Sequence, residues 1–258
     1  MKTAQALPPR LLDAGESGLV VEFGDTIDEQ VNREVIALAD ALDALQLDGV
    51  CEIVPTYRSL LVLFDPLVLS REALRGHVLA LWPPRADGRP SHGTRHGPSH
   101  GTGHGTWRVP VAYGGEHGVD LDHVARLHGL TTGEVIDLHS RAEYRVYMIG
   151  FAPGFAYLGG LDEAIHTSRR TDPRLKTPPR SISIGGRQAA VSPPLEIPSG
   201  WHLLGQTPVR TYDPTRAERP FLFAAGDTIR FTPVPQAEYA ALCRAAEAGE
   251  IIAEWEPA

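Results

Sequence analysis

Two observations predict the fold class. Residues 19 to 82 alternate as strand, helix, strand, strand, helix, and residues 107 to 231 break into short β-like pieces between glycines and prolines. The first pattern is most of a split βαβ, ferredoxin-like unit. The second, short strands at close spacing, suggests a barrel or sandwich. The predicted class is an α+β N-terminal domain followed by a mainly-β domain, and 258 residues suffice for a sizeable core in each.

Each element has its own signal. Leu19 to Phe23 reads as a strand, and Thr26-x-x-Glu29 reads as a capping box opening a helix with apolar Ile27, Val31, Val35, Leu38, Leu42 and Leu45. Cys51–Val54 and Tyr57–Phe64 read as strands split at Pro55; Ser70 then caps a helix with an apolar face of Ala73, Leu74, Val78 and Leu81. No final strand is evident after it. Trp107–Tyr113 reads as a strand whose Pro110 places it at an edge or bulge. A short helix from Asp120 stops at Gly129, and Thr131-x-x-Glu134 caps another that ends near His139. Arg145–Ile149, Ser181–Ile184, Gln188–Ser192, Trp201–Leu204, Phe221–Ala224 and Asp227–Phe231 follow as short strands, then an alanine-rich helix over 237–250. The expected organisation is a small α+β domain at 11–82, a linker at 83–106, a barrel domain at 107–235, and a C-terminal helix and tail at 236–258.

The linker carries His92, His96, His100 and His104 at every fourth position, but interleaved glycines and Pro98 forbid the helix that would align them into a metal site. No metal site is expected. The net charge of −8 argues against nucleic-acid or anionic-membrane partners, which favour a positive surface. No apolar run reaches the length of a membrane span, and a cytoplasmic location with free, buried Cys51 and Cys243 is expected. Lys2 and Lys176 are the only lysines, so no lysine-bearing phosphate loop can form and a Ser-Ser-Lys amidase relay is hard to assemble.

The most informative segment is Tyr144 to Leu161, where a short apolar strand runs into a loop that sets Phe151, Phe155 and Tyr157 among Gly150, Pro153, Gly154, Gly159 and Gly160. Loops are ordinarily polar, so aromatics between glycines suggest a pocket or interface lining; packing over the core is the other reading.

The Gly-Phe-x-Pro-Gly-Phe-x-Tyr-Leu-Gly-Gly signature at 150–160 occurs with Val54-Pro-Thr-Tyr-Arg-Ser, Tyr113-Gly-Gly-Glu116, Leu138-His139, Gly185-Gly186-Arg-Gln188, Gly200-Trp201, Leu204-Gly-Gln-Thr-Pro208 and Gly226-Asp227. Together these resemble the KipI/PxpB family, the B-type component of prokaryotic 5-oxoprolinase, also called allophanate hydrolase subunit 1. The resemblance implies that the second domain is a cyclophilin-like barrel. It also implies ATP-dependent opening of 5-oxo-L-proline to L-glutamate, with a C-type barrel subunit sharing the site and a separate A-type subunit. ATP would be held by this chain or by a partner. Two alternatives remain open: inhibition of a histidine kinase by docking, and a subunit of an allophanate or urea-derivative amide hydrolase.

For that chemistry His139 is the leading acid–base candidate, being a histidine at a predicted helix end just before the signature strand and matching the family's Leu-His pair; a helix-capping role is the alternative. Glu116, in a loop, is the accompanying carboxylate, whereas Glu143 is expected to be solvated. Tyr147, Phe151, Pro153, Gly154, Phe155 and Tyr157 are expected to line the substrate pocket, with Trp201 as wall or core. Gly185, Gly186 and Gln188 can offer amides, and Arg187, with Arg169 and Arg170, can hold a carboxylate or phosphate. Related sequences usually carry glycine where this chain has Arg180, Ser183 and Ala190, and an aromatic at Ser192, so an altered substrate preference or a weakened activity is expected.

Overall fold

The computed structural model describes residues 9–83, 105–216 and 219–257. The chain divides into two compact units, Met1–Gly103 and His104–Ala258. The histidine-bearing stretch of the expected linker lies outside the described residues.

The first unit runs β1 (Arg10–Ala14), β2 (Gly18–Glu22), α1 (Glu29–Ala44), β3 (Val50–Pro55), β4 (Ser59–Phe64) and α2 (Arg71–Ala80). Its four strands are antiparallel in the order β1-β2-β4-β3. The fourth strand of the sheet is β1, which enters from the N-terminal side and folds back on β2. An exposed edge strand has no buried face to impose alternation, so β1 left no period-two signal. Leu19 and Val21 of β2 and Leu60, Val62 and Phe64 of β4 do alternate, and they pack against Val35, Leu38 and Leu42 of α1 and Leu74 and Val78 of α2. Each such burial contributes about 1.5–3 kcal/mol.

Two local expectations need correcting. Asp28, not Thr26, caps α1, accepting from the amides of Gln30 at 2.9 Å and Val31 at 3.1 Å, and Ile27 is exposed. Cys51 is exposed rather than buried and Cys243 is half-buried; both are free. Ser70 caps α2 as expected.

The second unit contains β5 (Gly105–Tyr113), α3 (Leu121–His128), α4 (Thr132–Arg141), β6 (Tyr144–Ile149), β7 (Ala156–Gly159), β8 (Arg174–Thr177), β9 (Ser181–Gly185), β10 (Gln188–Val191), β11 (Ile197–Ser199), β12 (His202–Gln206), β13 (Thr228–Pro233), α5 (Gln236–Glu247) and β14 (Glu254–Pro257). The order β12-β9-β10-β7-β6-β13-β5 closes on itself through β5–β12, giving a seven-stranded barrel that fits the cyclophilin-like expectation. β8 and β11 form a separate ribbon.

β5 is the seam. β13 runs parallel along one edge; the other edge is shared between β14, paired with residues 105–108, and β12, paired with 112–113. Pro110 falls between those two stretches, where its missing N–H costs no ladder bond. The core joins Trp107, Val109 and Val111 to Leu158, Ile182, Ile184, Val191, Ile229 and Phe231, and takes in Leu121, Val124 and Val135 of the helices. The Thr131–Glu134 capping box forms, with Glu134 accepting from the Thr131 amide at 2.7 Å and Thr131 accepting from the Glu134 amide at 3.2 Å. Phe221–Ala224 is not a strand: Phe221 makes one isolated bridge to Tyr212, and Leu222 and Phe223 are buried in the core. Within the stretch expected as a C-terminal helix and tail, β14 pairs with β5. Among the described residues no helix is long and apolar enough to cross a membrane.

Candidate functional site

The signature segment is split between two surroundings. Residues alternate along β7, so Ala156 and Leu158 enter the main core while Tyr157 faces the other way. Tyr157 is the register partner of Ala190 on β10, and Ala190 of Ser183 on β9. On this outer face Phe155, Ala190, Ile197 and Trp201 form a second cluster, with Ala152 and Tyr157 against it. The rings are contiguous: Phe155 lies 4.7 Å from Tyr157 and 6.3 Å from Trp201, and Tyr157 lies 6.0 Å from Trp201.

Close approaches explain two glycines of the signature. A Cβ at Gly159 would lie 1.8 Å from Cε2 of Tyr147, so the buried Tyr147 ring occupies the space a side chain would need. Gly154 has φ +82 and sits against Thr211 and Tyr212, where a Cβ would approach within 2.7 Å. The loop between them and β6 is shaped by Phe151. Its φ is +69, and the Ala152 amide donates to the Gly150 carbonyl at 2.9 Å, closing a γ-turn of the rare, positive-φ kind. Such a conformation costs a bulky residue about 1–3 kcal/mol. Phe151 is 65% exposed, touches Phe155 edge-on at 5.7 Å, and is followed by exposed Pro153.

The β9–β10 turn borders the cluster. Trp201 packs on Gly185, where a Cβ would come within 2.8 Å of the indole. Gly186 is not a free amide, because it donates to the Thr167 carbonyl at 2.6 Å; that expectation is corrected. Gln188 lies on the same strand face as Ala190 and Tyr157 and is half-exposed, and Arg187 is exposed at the turn. The neighbouring arginines separate cleanly. Arg170 and Arg174 hold the buried carboxylate of Asp120 at 3.3, 2.9 and 2.7 Å, and the Leu203 amide donates to it at 2.8 Å. Arg169 instead lies over the Trp201 ring at 5.5 Å. Burial raises the pKa of the Tyr157 hydroxyl, with the Arg169 charge pulling it back only in part.

The expected acid–base pair is not assembled. His139 is 0% exposed, stacked on Phe231 at 4.8 Å and next to Tyr144 at 5.2 Å. Its Nδ1 is 2.7 Å from the Tyr113 hydroxyl, its Nε2 is buried with no hydrogen-bond partner among the described residues, and burial drives its pKa down to about 3. A neutral, enclosed imidazole is a core residue that fixes the end of β5 rather than a group that meets substrate. The Glu116 side chain is 84% exposed, with its carboxylate 3.8 Å from Nε2 of His117.

His117 is a residue that sequence reasoning missed. Its Nδ1 is 2.7 Å from Oε1 of Gln206, whose amide donates to the Pro179 carbonyl at 3.1 Å, and its ring lies 4.3 Å from Tyr239. Its adjacency to Glu116, together with Gln206 in the Leu-Gly-Gln-Thr motif, was the available signal. The Gly226-Asp227 motif is structural: Asp227 accepts from the Trp107 indole at 3.0 Å and from the Ala224 amide at 2.9 Å. Among the described residues no cluster of three His, Cys, Asp or Glu side chains could hold a metal.

Residues 9–223 match the family model for the carboxyltransferase domain, subdomain C and D. The 5-oxoprolinase B-type component of Bacillus subtilis (strain 168) is 35% identical over 225 residues, covering 87% of this chain and 92% of that protein. Its counterpart in Escherichia coli O157:H7 is 50% identical over 125 residues, 48% of this chain and 56% of that protein. The crystal structure of TTHA0988 superposes with a TM-score of 0.72 at 35% identity, over 84% of this chain but only 40% of that one. The urea amidolyase of K. lactis superposes with a TM-score of 0.78 over 99% of this chain and 17% of that one; at 19% identity the likeness concerns the fold alone. The chain belongs to the carboxyltransferase subdomain C and D family. Within it, the chain belongs to the KipI/PxpB family, the B-type components of 5-oxoprolinase.

Proposed function

We propose that the chain is the B-type component of an ATP-dependent 5-oxoprolinase, which opens 5-oxo-L-proline to L-glutamate with C-type and A-type partner subunits. The observation that carries this is the match to the Bacillus subtilis protein along 92% of its length. The lactam is an unstrained amide and a poor electrophile. Transfer of the ATP γ-phosphoryl group to the lactam oxygen would activate the ring carbon. One water then adds there, the ring C–N bond breaks with the nitrogen leaving as the protonated amine, and a second water releases inorganic phosphate from the resulting acyl phosphate. The protein's share is then to orient the ring and neutralise anionic oxygens.

On this chain the groups suited to that share lie on one strand face: the Tyr157 hydroxyl and the Gln188 side-chain amide. We assign the remaining walls, and the ATP site, to the partners. Two of the glycine replacements bear on the same face. Ser183 and Ala190 are register neighbours in the row that includes Tyr157. They fill space beneath the ring-binding surface and narrow its preference. Arg180 carries φ +61 and lies toward Pro208 and Glu247 instead. We also read the small unit as ferredoxin-like, with β1 in the fourth-strand place.

The test is co-expression with the A- and C-type subunits from the same genome, measuring glutamate release from 5-oxoproline with and without ATP. ATP-dependent release is expected from the complex and none from the isolated chain. An assembled complex without turnover would overturn the assignment.

A further inference from the structure

We infer that Phe151 is the pin by which this chain docks its C-type partner, and that the partner presents an apolar socket flanked by a carboxylate for Arg169. The inference rests on the chain's being one component of a complex. Two penalties coincide at this residue. Its backbone takes a strained γ-turn that Gly or Asn would adopt more easily, and its ring stands 65% exposed to water. Neither is relieved in the free chain, so the loop is shaped for a covered state.

The surroundings favour a protein over a small ligand. Beneath the pin the platform is rigid and already packed: Phe155 and Trp201 are buried, and Gly154 is wedged against Thr211 and Tyr212. Phe151 therefore projects outward rather than lining a concavity, as an aromatic anchor does at an interface. Charge names the partner's chemistry. The chain carries net −8, yet Arg169, reached from Phe151 through Phe155 and Trp201, has no carboxylate within ion-pair reach among the described residues. Exposed Arg187 lies two residues after Gly185, on which Trp201 rests. A local cationic rim on an acidic chain fits a carboxylate-bearing partner face. In TTHA0988 the module is part of a longer chain, of which this chain matches 40%.

The experiment compares Phe151→Asn and Arg169→Gln with wild type, each co-expressed with a tagged C-type partner and scored by co-elution and by affinity at two salt concentrations. Asn tolerates the left-handed turn, so the isolated variant should melt at or above the wild-type temperature. Its affinity for the C-type partner should nevertheless fall at least tenfold. A residue that merely packs the loop would lose stability and binding together. Arg169→Gln should weaken binding at low salt and flatten its salt dependence. Binding of Phe151→Asn within threefold of wild type would overturn the docking role while leaving the proposed function intact. Failure of the wild-type chain to bind the C-type partner would overturn both. Self-association of the wild type abolished by Phe151→Asn would overturn the choice of partner.

Discussion

Replacing Asp120 with Asn keeps its shape and removes its charge from a carboxylate whose side chain is only 6% exposed. Arg174 makes two charge-assisted hydrogen bonds to it at 2.9 and 2.7 Å, and Arg170 approaches at 3.3 Å. The Leu203 amide, at the start of β12, donates to it at 2.8 Å. Breaking a buried pair by removing one partner costs about 3–5 kcal/mol. The two arginines keep 28% and 24% of their side-chain surface in water and can rehydrate, which places the loss near the lower bound, about 3 kcal/mol. For a protein of this size that corresponds to a fall of about 6–12 °C in Tm. Urea unfolding at pH 7, fitted with a common slope, measures it directly. The pH dependence adds a second test. Burial alone would raise the Asp120 pKa, but the Arg174 bonds, the Leu203 amide and the two positive charges outweigh it, and the net displacement is downward. A lowered carboxylate stabilises the fold above its unfolded pKa and loses that stabilisation as pH falls through the folded value. The gap between wild type and Asp120→Asn should therefore be widest near neutrality and shrink below about pH 4. A loss under about 1 kcal/mol at pH 7, the range of solvent-exposed ion pairs, would refute the account of Asp120 as a buried anchor.

His139 should impose the opposite kind of pH window from a paired histidine. With its pKa held at about 3 against an ordinary 6.5, the unfolded chain takes up a proton that the folded chain refuses. Stability is then fully present above 6.5 and declines as pH falls toward 3; proton NMR should show a His139 ring resonance that does not titrate between pH 8 and 5, and a titrating one would contradict its burial. Gly159→Ala should cost more than about 3 kcal/mol, because its Cβ would lie 1.8 Å from a Tyr147 ring that is itself buried. Soluble yield and the urea midpoint report it, and near-wild-type values would mean the ring swings aside freely.

What the sequence revealed follows what leaves a local trace. Helices with a buried stripe and a side-chain cap, such as α2 with Ser70 and α4 with the Thr131–Glu134 box, were legible because cap and periodicity agree within one turn. β1, β8 and β14 were not, because they are exposed or paired with distant residues, as β14 is with β5. The aromatic cluster was found through its glycines, although most of its rings prove buried and only Phe151 projects. His139 misled because a histidine at a helix end looks the same in sequence whether it faces solvent or Phe231. Likewise Arg169 and Arg170 are neighbours in sequence, yet only Arg170 meets Asp120. That partner lies fifty residues away.

The seam at β5 bears on how the barrel is carried between proteins. Gly105, where β5 starts, is the register partner of Pro257 at the end of β14, so entry and exit of this unit lie side by side. A unit whose two ends meet can be spliced into a longer polypeptide like a bead onto a thread. The host chain need only open a gap about one strand spacing wide, and the closure entropy of doing so is small.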